Sequence, residues 1–215
     1  MAIRLSELAK LRPFTFHVTF PSNLSAIARL GEIRSASALL AGSADAVALS
    51  RPRRRDFEVI VEGFRVEVRD QLPLKPGHIR FEGGFSFTDV LAELNSRVFF
   101  WPGTEQGPID YGQSHFQRYS SDGKALVLRC ALKDLLAANE EKLLHVCRFN
   151  SGAPRHNPRS GRSPRGPETF VPLAKAPFSV GAVKELSFLD SALLPRSTEV
   201  SSNLYGPWRR LWSVA

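Results

Sequence analysis

Cysteine is scarce: Cys130 and Cys147 are the only two among 215 residues. Their separation matches neither a zinc site nor a redox pair, so no metal site and no disulfide framework is expected. Cys130 lies inside the apolar run 125–132 and reads as a buried free thiol, suited to a reducing compartment. Long apolar runs are missing too. No stretch approaches the roughly 20 residues of a membrane span, and Met1 to Pro13 lacks the apolar core of a signal peptide. The expected location is the cytoplasm, away from membranes. There is no Gly-x-Gly-x-x-Gly and no Walker loop, which removes the common phosphate-cradling motifs. No sustained βαβ rhythm is present, which argues against a Rossmann fold. No internal repeat is visible.

What is present is an ordinary globular balance, 43% hydrophobic and 23% charged, with 15 Gly and 15 Pro marking many turns. The length fits one domain over 1–195 followed by a C-terminal tail over 196–215. Lys and Arg number 29 against 21 Asp and Glu, a net charge of +8. Such a field attracts phosphates and speeds encounter with nucleic acid.

Helices are expected over Leu5 to Leu11, Leu24 to Leu30, Ser35 to Ala48, Phe87 to Leu94, His115 to Tyr119 and Lys133 to Asn139. Strands are expected over Phe14 to Thr19, Arg97 to Trp101, Ala125 to Arg129, Leu143 to Phe149 and Val183 to Leu189, with a hairpin about Gly63. This is a mixed α+β chain.

Three pieces far apart in sequence each set a polar or aromatic group in or beside a β-like run: Phe16-His17-Val18-Thr19, Val98-Phe99-Phe100-Trp101 and Val183-Lys184-Glu185-Leu186. A neutral imidazole at His17 can donate from one nitrogen and accept at the other; packing of a half-buried strand is its plainer role. Side chains alternate along a strand, so Phe99 and Trp101 share one face and Phe100 takes the other. Glu185 is either a carboxylate in a pocket or a solvent-facing strand residue. Arg69 and Asp70 read as a structural pair or as groups near a ligand phosphate. Asn150-Ser151-Gly152 opens a polar loop running to Thr169, in which Arg155, Arg159, Arg162 and Arg165 precede any acid. A segment so poor in apolar residues is expected to be mobile when free, and its arginines suit phosphate because a planar guanidinium bonds two oxygens at once.

Taken in order with Arg69-Asp70-Gln71, Asn150-Ser151-Gly152 and the stretch Arg165 to Leu173, these motifs resemble the ADP-ribosyltransferase fold. More narrowly, they resemble a bacterial domain family related to DarT-type DNA ADP-ribosyltransferases. The resemblance covers about residues 14 to 190. It implies a split β-sheet with flanking helices and an NAD cleft. His17 would bond a ribose hydroxyl and the backbone at Val18 would meet the nicotinamide amide, while Thr19 is a strand residue first and part of the pocket wall second. Phe99 would stack on nicotinamide in the place often held by tyrosine, near Trp101. Asn150 and Arg69 would complete the cofactor site, and Glu185, with His17, would be catalytic. Two departures are the missing hydroxyl at Phe99 and Val18 in place of a glycine.

The activity implied is NAD-dependent transfer of ADP-ribose to a nucleic acid, DNA favoured over RNA, with release of nicotinamide, as in toxins of this kind. Arg155, Arg159, Arg162 and Arg165 would hold the nucleic acid. The alternatives are a non-catalytic nucleotide or nucleic-acid binding module on the same fold, an NAD glycohydrolase, or a 2′-phosphate-transferring RNA processor.

Overall fold

Alternating Phe14, Phe16 and Val18 against Thr15, His17 and Thr19 make Phe14–Thr19 a strand with two different faces, and this strand, β1, lies inside the main sheet. The computed structural model describes residues 3–41, 49–121, 123–140 and 143–214. Helix α1 (Leu5–Leu11) precedes β1; α2 (Leu24–Leu30) follows and ends on Gly31 in the left-handed region, φ 72°. Then come β2 (Glu32–Arg34), α3 (Ala36–Leu40), and the hairpin β3 (Phe57–Val61) and β4 (Phe64–Val68) about Gly63. Of the helix expected over Ser35 to Ala48, the part from residue 42 onward falls outside the described residues.

The chain continues through β5 (Ile79–Phe81) and α4 (Phe87–Asn95), whose first turn is closed by reciprocal bonds between Ser86 and Asp89. Next are β6 (Arg97–Thr104), β7 (Gly107–Pro108), α5 (Asp110–Ser120), β8 (Leu126–Ala131), α6 (Leu132–Asn139) and β9 (His145–Cys147). A hairpin of β10 (His156–Asn157) and β11 (Gly161–Arg165) leads to β12 (Val171–Pro172), β13 (Glu185–Leu189), β14 (Ser191–Leu193), β15 (Glu199–Ser201) and β16 (Arg209–Arg210).

Nine strands form one sheet in the order β12-β9-β13-β6-β1-β8-β15-β16, with β7 beside β6. Its pairings are antiparallel, as expected of an α+β chain. Val98, Phe100, Leu186 and Phe188 face the largest core with Leu8, Leu132 and Leu135 from the helices. Phe16, Val18, Trp101 and Val127 face the other way, onto Phe116 of α5. Phe99 and Phe100 therefore point to opposite sides.

Two expectations are corrected. The segment 150–169 is not an unstructured loop: β11 pairs with β10 and runs parallel to β5, Ser163 opposite Ile79 and Arg165 opposite Phe81. Nor are the described residues 196–214 a tail outside the domain. β15 pairs with β8 and β16 with β15, burying Val200, Leu204 and Leu211, while Trp208 packs beside Phe16 and over Arg129. The apolar contacts of this segment are with distant strands, so local composition hid them.

Candidate functional site

β1 and β6 pair only as far as Phe16 opposite Trp101. Beyond that point β1 continues beside β8 alone, and β6 continues beside β13. The strands part, and a cavity of about 280 Å³ opens along the fork, close to the lower end of ligand pockets, about 300 Å³. It is lined by His17, Val18, Thr19, Arg69, Phe99, Trp101, Asn150 and Glu185, which are all the residues named in the sequence for the cofactor and the chemistry.

In a continuous sheet His17 and Phe99 would lie on opposite faces; the fork lets both reach the cavity. His17 Nδ1 donates to the carbonyl of Phe99 at 2.8 Å. A carbonyl only accepts, so the proton sits on Nδ1 and Nε2 is left as an acceptor. Burial, with the nearby Arg69 charge, pushes the imidazole down to about 4, so it is neutral near pH 7. Phe99 rests against Phe170. Thr19 Oγ1 accepts from Asn23 and has a packing role beside its place in the wall.

Glu185 begins β13 and is 3% exposed. Both carboxylate oxygens accept from the backbone N–H of Ser151, each at 3.1 Å. Burial pushes the carboxyl up to about 7, against the opposing pull of Ser151 and of the Arg165 charge. The group is poised to hold or release a proton at neutral pH.

Arg69 is not paired with Asp70. Its guanidinium lies between the rings of Phe20 and Tyr119, 3.9 Å from each centroid, and neither Nη1 nor Nη2 has a hydrogen-bond partner among the described residues. Asp70 instead accepts from the Tyr119 hydroxyl (3.3 Å) and the Leu72 N–H. Trp101 Nε1 is likewise buried with no partner among the described residues. His115 packs on Trp101 at 4.5 Å between centroids and is pushed down to about 3 by burial and by Arg69. Phe20, His115 and Tyr119 were not singled out in the sequence. The signal available was the helical spacing Gly112, His115, Tyr119, one face of α5. A Cβ at Gly112 would meet Trp101 Cβ and Cγ at 2.9 Å, so only glycine lets α5 come this close to β6.

Of the four arginines assigned to nucleic acid, Arg155, Arg159 and Arg162 are exposed on the β10–β11 hairpin and form no ion pair among the described residues. Arg165 is corrected: it is 1% exposed and turned inward. All five of its N–H groups are used, on the carbonyls of Asn150, Ser151 and Pro164 and on Ser163 Oγ. A guanidinium so enclosed has nothing left for phosphate.

Among the described residues no helix is long and apolar enough to cross a membrane. No curated protein and no solved structure matches the chain. A family model does match, starting just before β1 and ending just after β14, so that it takes in every residue named above around the cavity. On that match over residues 13–195 the chain belongs to DUF7002, a family of unknown function.

Proposed function

We propose that the forked cavity takes NAD and that the protein is an ADP-ribosyltransferase acting on nucleic acid, DNA favoured. The observation that carries this reading is the meeting of a neutral imidazole, a phenyl ring and a carboxylate in one cavity at the parting of two antiparallel strands. Breaking the nicotinamide–ribose bond sends the electron pair to nicotinamide and leaves positive charge on the ribose carbon, as in glycoside cleavage. Glu185, accepting from the adjacent hydroxyl, stabilises that charge, and the developing cation in turn favours its ionised form. His17 Nε2 accepts from the other ribose hydroxyl. The Phe99 face receives the nicotinamide ring. A nucleophilic atom of the acceptor then bonds the ribose carbon and loses its proton, with Glu185 within the cavity to take it. The exposed Arg155, Arg159 and Arg162 supply the acceptor's electrostatic footing.

The missing hydroxyl at Phe99 favours one competing reading, a nucleotide-binding module without turnover. The test is free nicotinamide from NAD, with and without single-stranded DNA or RNA, in the wild type and Glu185→Gln. Release that depends on DNA and falls about 10²–10³-fold in the variant, the scale of losing one preorganised electrostatic group, supports the transferase. Release without an acceptor indicates a glycohydrolase. NAD binding without release indicates the binding module, and neither binding nor release ends the NAD reading.

A further inference from the structure

Glu185 makes no ion pair with any described residue; Ser151 holds it by its side chain and, at both carboxylate oxygens, by its backbone N–H. That N–H belongs to the peptide unit whose carbonyl is Asn150 O. Asn150 O accepts from Arg165 Nη2 at 2.8 Å. A trans peptide directs its C=O and N–H to opposite sides of one rigid plane. Arg165 and Glu185 therefore grip the same plane from its two ends. Arg165 Nε and Nη2 also reach the next carbonyl, Ser151 O, both at 3.2 Å. The turn is thus held at two successive carbonyls by one planar fork.

The charge arrangement follows the same line. A cation donating to the carbonyl polarises the peptide and strengthens the N–H at its far end. The buried Arg165 charge also holds the Glu185 carboxyl down, and the carboxylate in turn holds Arg165 up, each against burial. The other titratable group facing Glu185 from the packed strands is Cys147, opposite it on β9. Burial pushes the Cys147 thiol up to about 12, so it stays neutral in the working range. Arg165 is also the last residue of β11, the strand that carries exposed Arg162. Its remaining donors, on Nη1, go to Ser163 Oγ and Pro164 O within that strand.

We propose that Arg165 is a positioning residue for Glu185: it fixes the Asn150–Ser151 peptide so that its N–H meets both carboxylate oxygens, and it ties the arginine hairpin to the carboxylate. The catalytic consequence rests on the transferase reading above; the geometric one does not. An aliphatic side chain at 165 takes the guanidinium away from both carbonyls, leaves Asn150 O only the 3.3 Å bond from the Ala153 N–H, and loosens the peptide. Lysine keeps the charge but cannot span Asn150 O, Ser151 O and the β11 acceptors together. Misplacing a catalytic group by about 1 Å costs about 10²-fold in rate.

The test compares wild type, Arg165→Lys and Arg165→Met by two measurements. Carbon NMR of labelled Glu185 follows its titration without requiring turnover. Nicotinamide release with NAD and mixed-sequence single-stranded DNA follows kcat, and calorimetry follows NAD affinity. Expected is an upward move of the Glu185 midpoint by about 1 pH unit in Arg165→Met. Also expected are kcat in the order wild type, Lys, Met, with about 10²-fold between the extremes, and NAD affinity unchanged within about twofold. If the methionine variant does not fold, a lower kcat at unchanged NAD affinity in Arg165→Lys supports the proposal, and wild-type kcat in that variant overturns it. An unchanged Glu185 midpoint in folded Arg165→Met overturns it, as does a loss of NAD affinity as large as the loss of rate. If the wild type releases no nicotinamide, the transferase reading falls, while the titration of Arg165→Lys, which keeps the charge, still decides: an upward Glu185 midpoint supports positioning and a wild-type midpoint overturns it.

Discussion

His17 and Phe99 are joined by a 2.8 Å hydrogen bond from imidazole Nδ1 to backbone carbonyl, across the point where β1 leaves β6. The bond replaces the ladder pairing that the fork gives up, so the cavity opens without stranding the Phe99 carbonyl. It also sets the tautomer, and a neutral ring is what the cavity stabilises.

That preference makes a prediction about acid. His17 and His115 hold folded values of about 4 and about 3 against an ordinary 6.5. The unfolded chain therefore takes up their protons first, and stability falls as pH drops below 6.5. His145 is shifted the same way, by burial. Glu185 has the opposite sign. Its folded value of about 7 lies above the ordinary 4.5, so its contribution is full below 4.5 and is lost as pH rises through 7. Between about pH 4.5 and 6.5 the histidines destabilise on acidification and Glu185 offsets one proton of that. Urea unfolding of Glu185→Gln should lose stability on acidification more steeply than wild type, by about 1.4 kcal/mol per pH unit. Parallel curves would show that the carboxyl is not shifted upward.

Arg69 should separate binding from stability. Its stacking between Phe20 and Tyr119 contributes about 0.5–2 kcal/mol per ring, while two buried nitrogens without acceptors cost about 1–3 kcal/mol each. The two effects roughly cancel. Arg69→Met, which still fills the slot between the rings, should change unfolding free energy by less than about 1 kcal/mol. NAD affinity should fall tenfold or more if the free edge of the guanidinium serves the ligand. A methionine variant that binds NAD as tightly as wild type would remove Arg69 from the site.

The segment after Pro195 should be indispensable. Val200, Leu204 and Leu211 are almost fully buried, and at about 1.5–3 kcal/mol for each side chain they contribute roughly 5–9 kcal/mol. That is comparable with the whole stability of a domain, about 5–15 kcal/mol. A chain ending at residue 195 should give no cooperative thermal transition. A sharp transition near that of the full chain would restore the view of 196–215 as a tail.

Legibility in the sequence followed the range of the forces involved. Leu5–Leu11 and Phe14–Thr19 are set by local periodicity, and their boundaries could be read directly. β6 could be read only to Trp101, because Pro102 and Gly103 look like a turn. They continue the strand because a Cβ at Gly103 would lie 2.3 Å from the Gly107 carbonyl and 2.7 Å from Phe16. The expected strand at Val183 starts two residues late, at Glu185. β11 reads Gly-Arg-Ser-Pro-Arg, with no apolar alternation; it is a strand because β5 pairs with it and because Arg165 turns inward. In the site, His17, Phe99 and Glu185 were visible as exceptions within apolar strands. The flanking of Arg69 by Phe20 and Tyr119 was not, since no pattern links residues 20, 69 and 119 before the chain folds.

The exposed arginines of the β10–β11 hairpin carry the last prediction. With Arg165 withdrawn, Arg155, Arg159 and Arg162 remain on the segment to meet phosphates. Each phosphate contact contributes about −0.9 to the slope of log affinity against log salt for duplex DNA and about −0.7 for a single strand. Replacing all three by alanine should flatten the slope by about 2.7 or about 2.1 respectively. NAD affinity should stay unchanged, because none of the three lines the cavity. Salt titrations of fluorescent oligonucleotide binding, single-stranded and duplex, measure both slopes. An unaltered slope, or no binding by the wild type, would remove these three arginines from the proposed contact with nucleic acid.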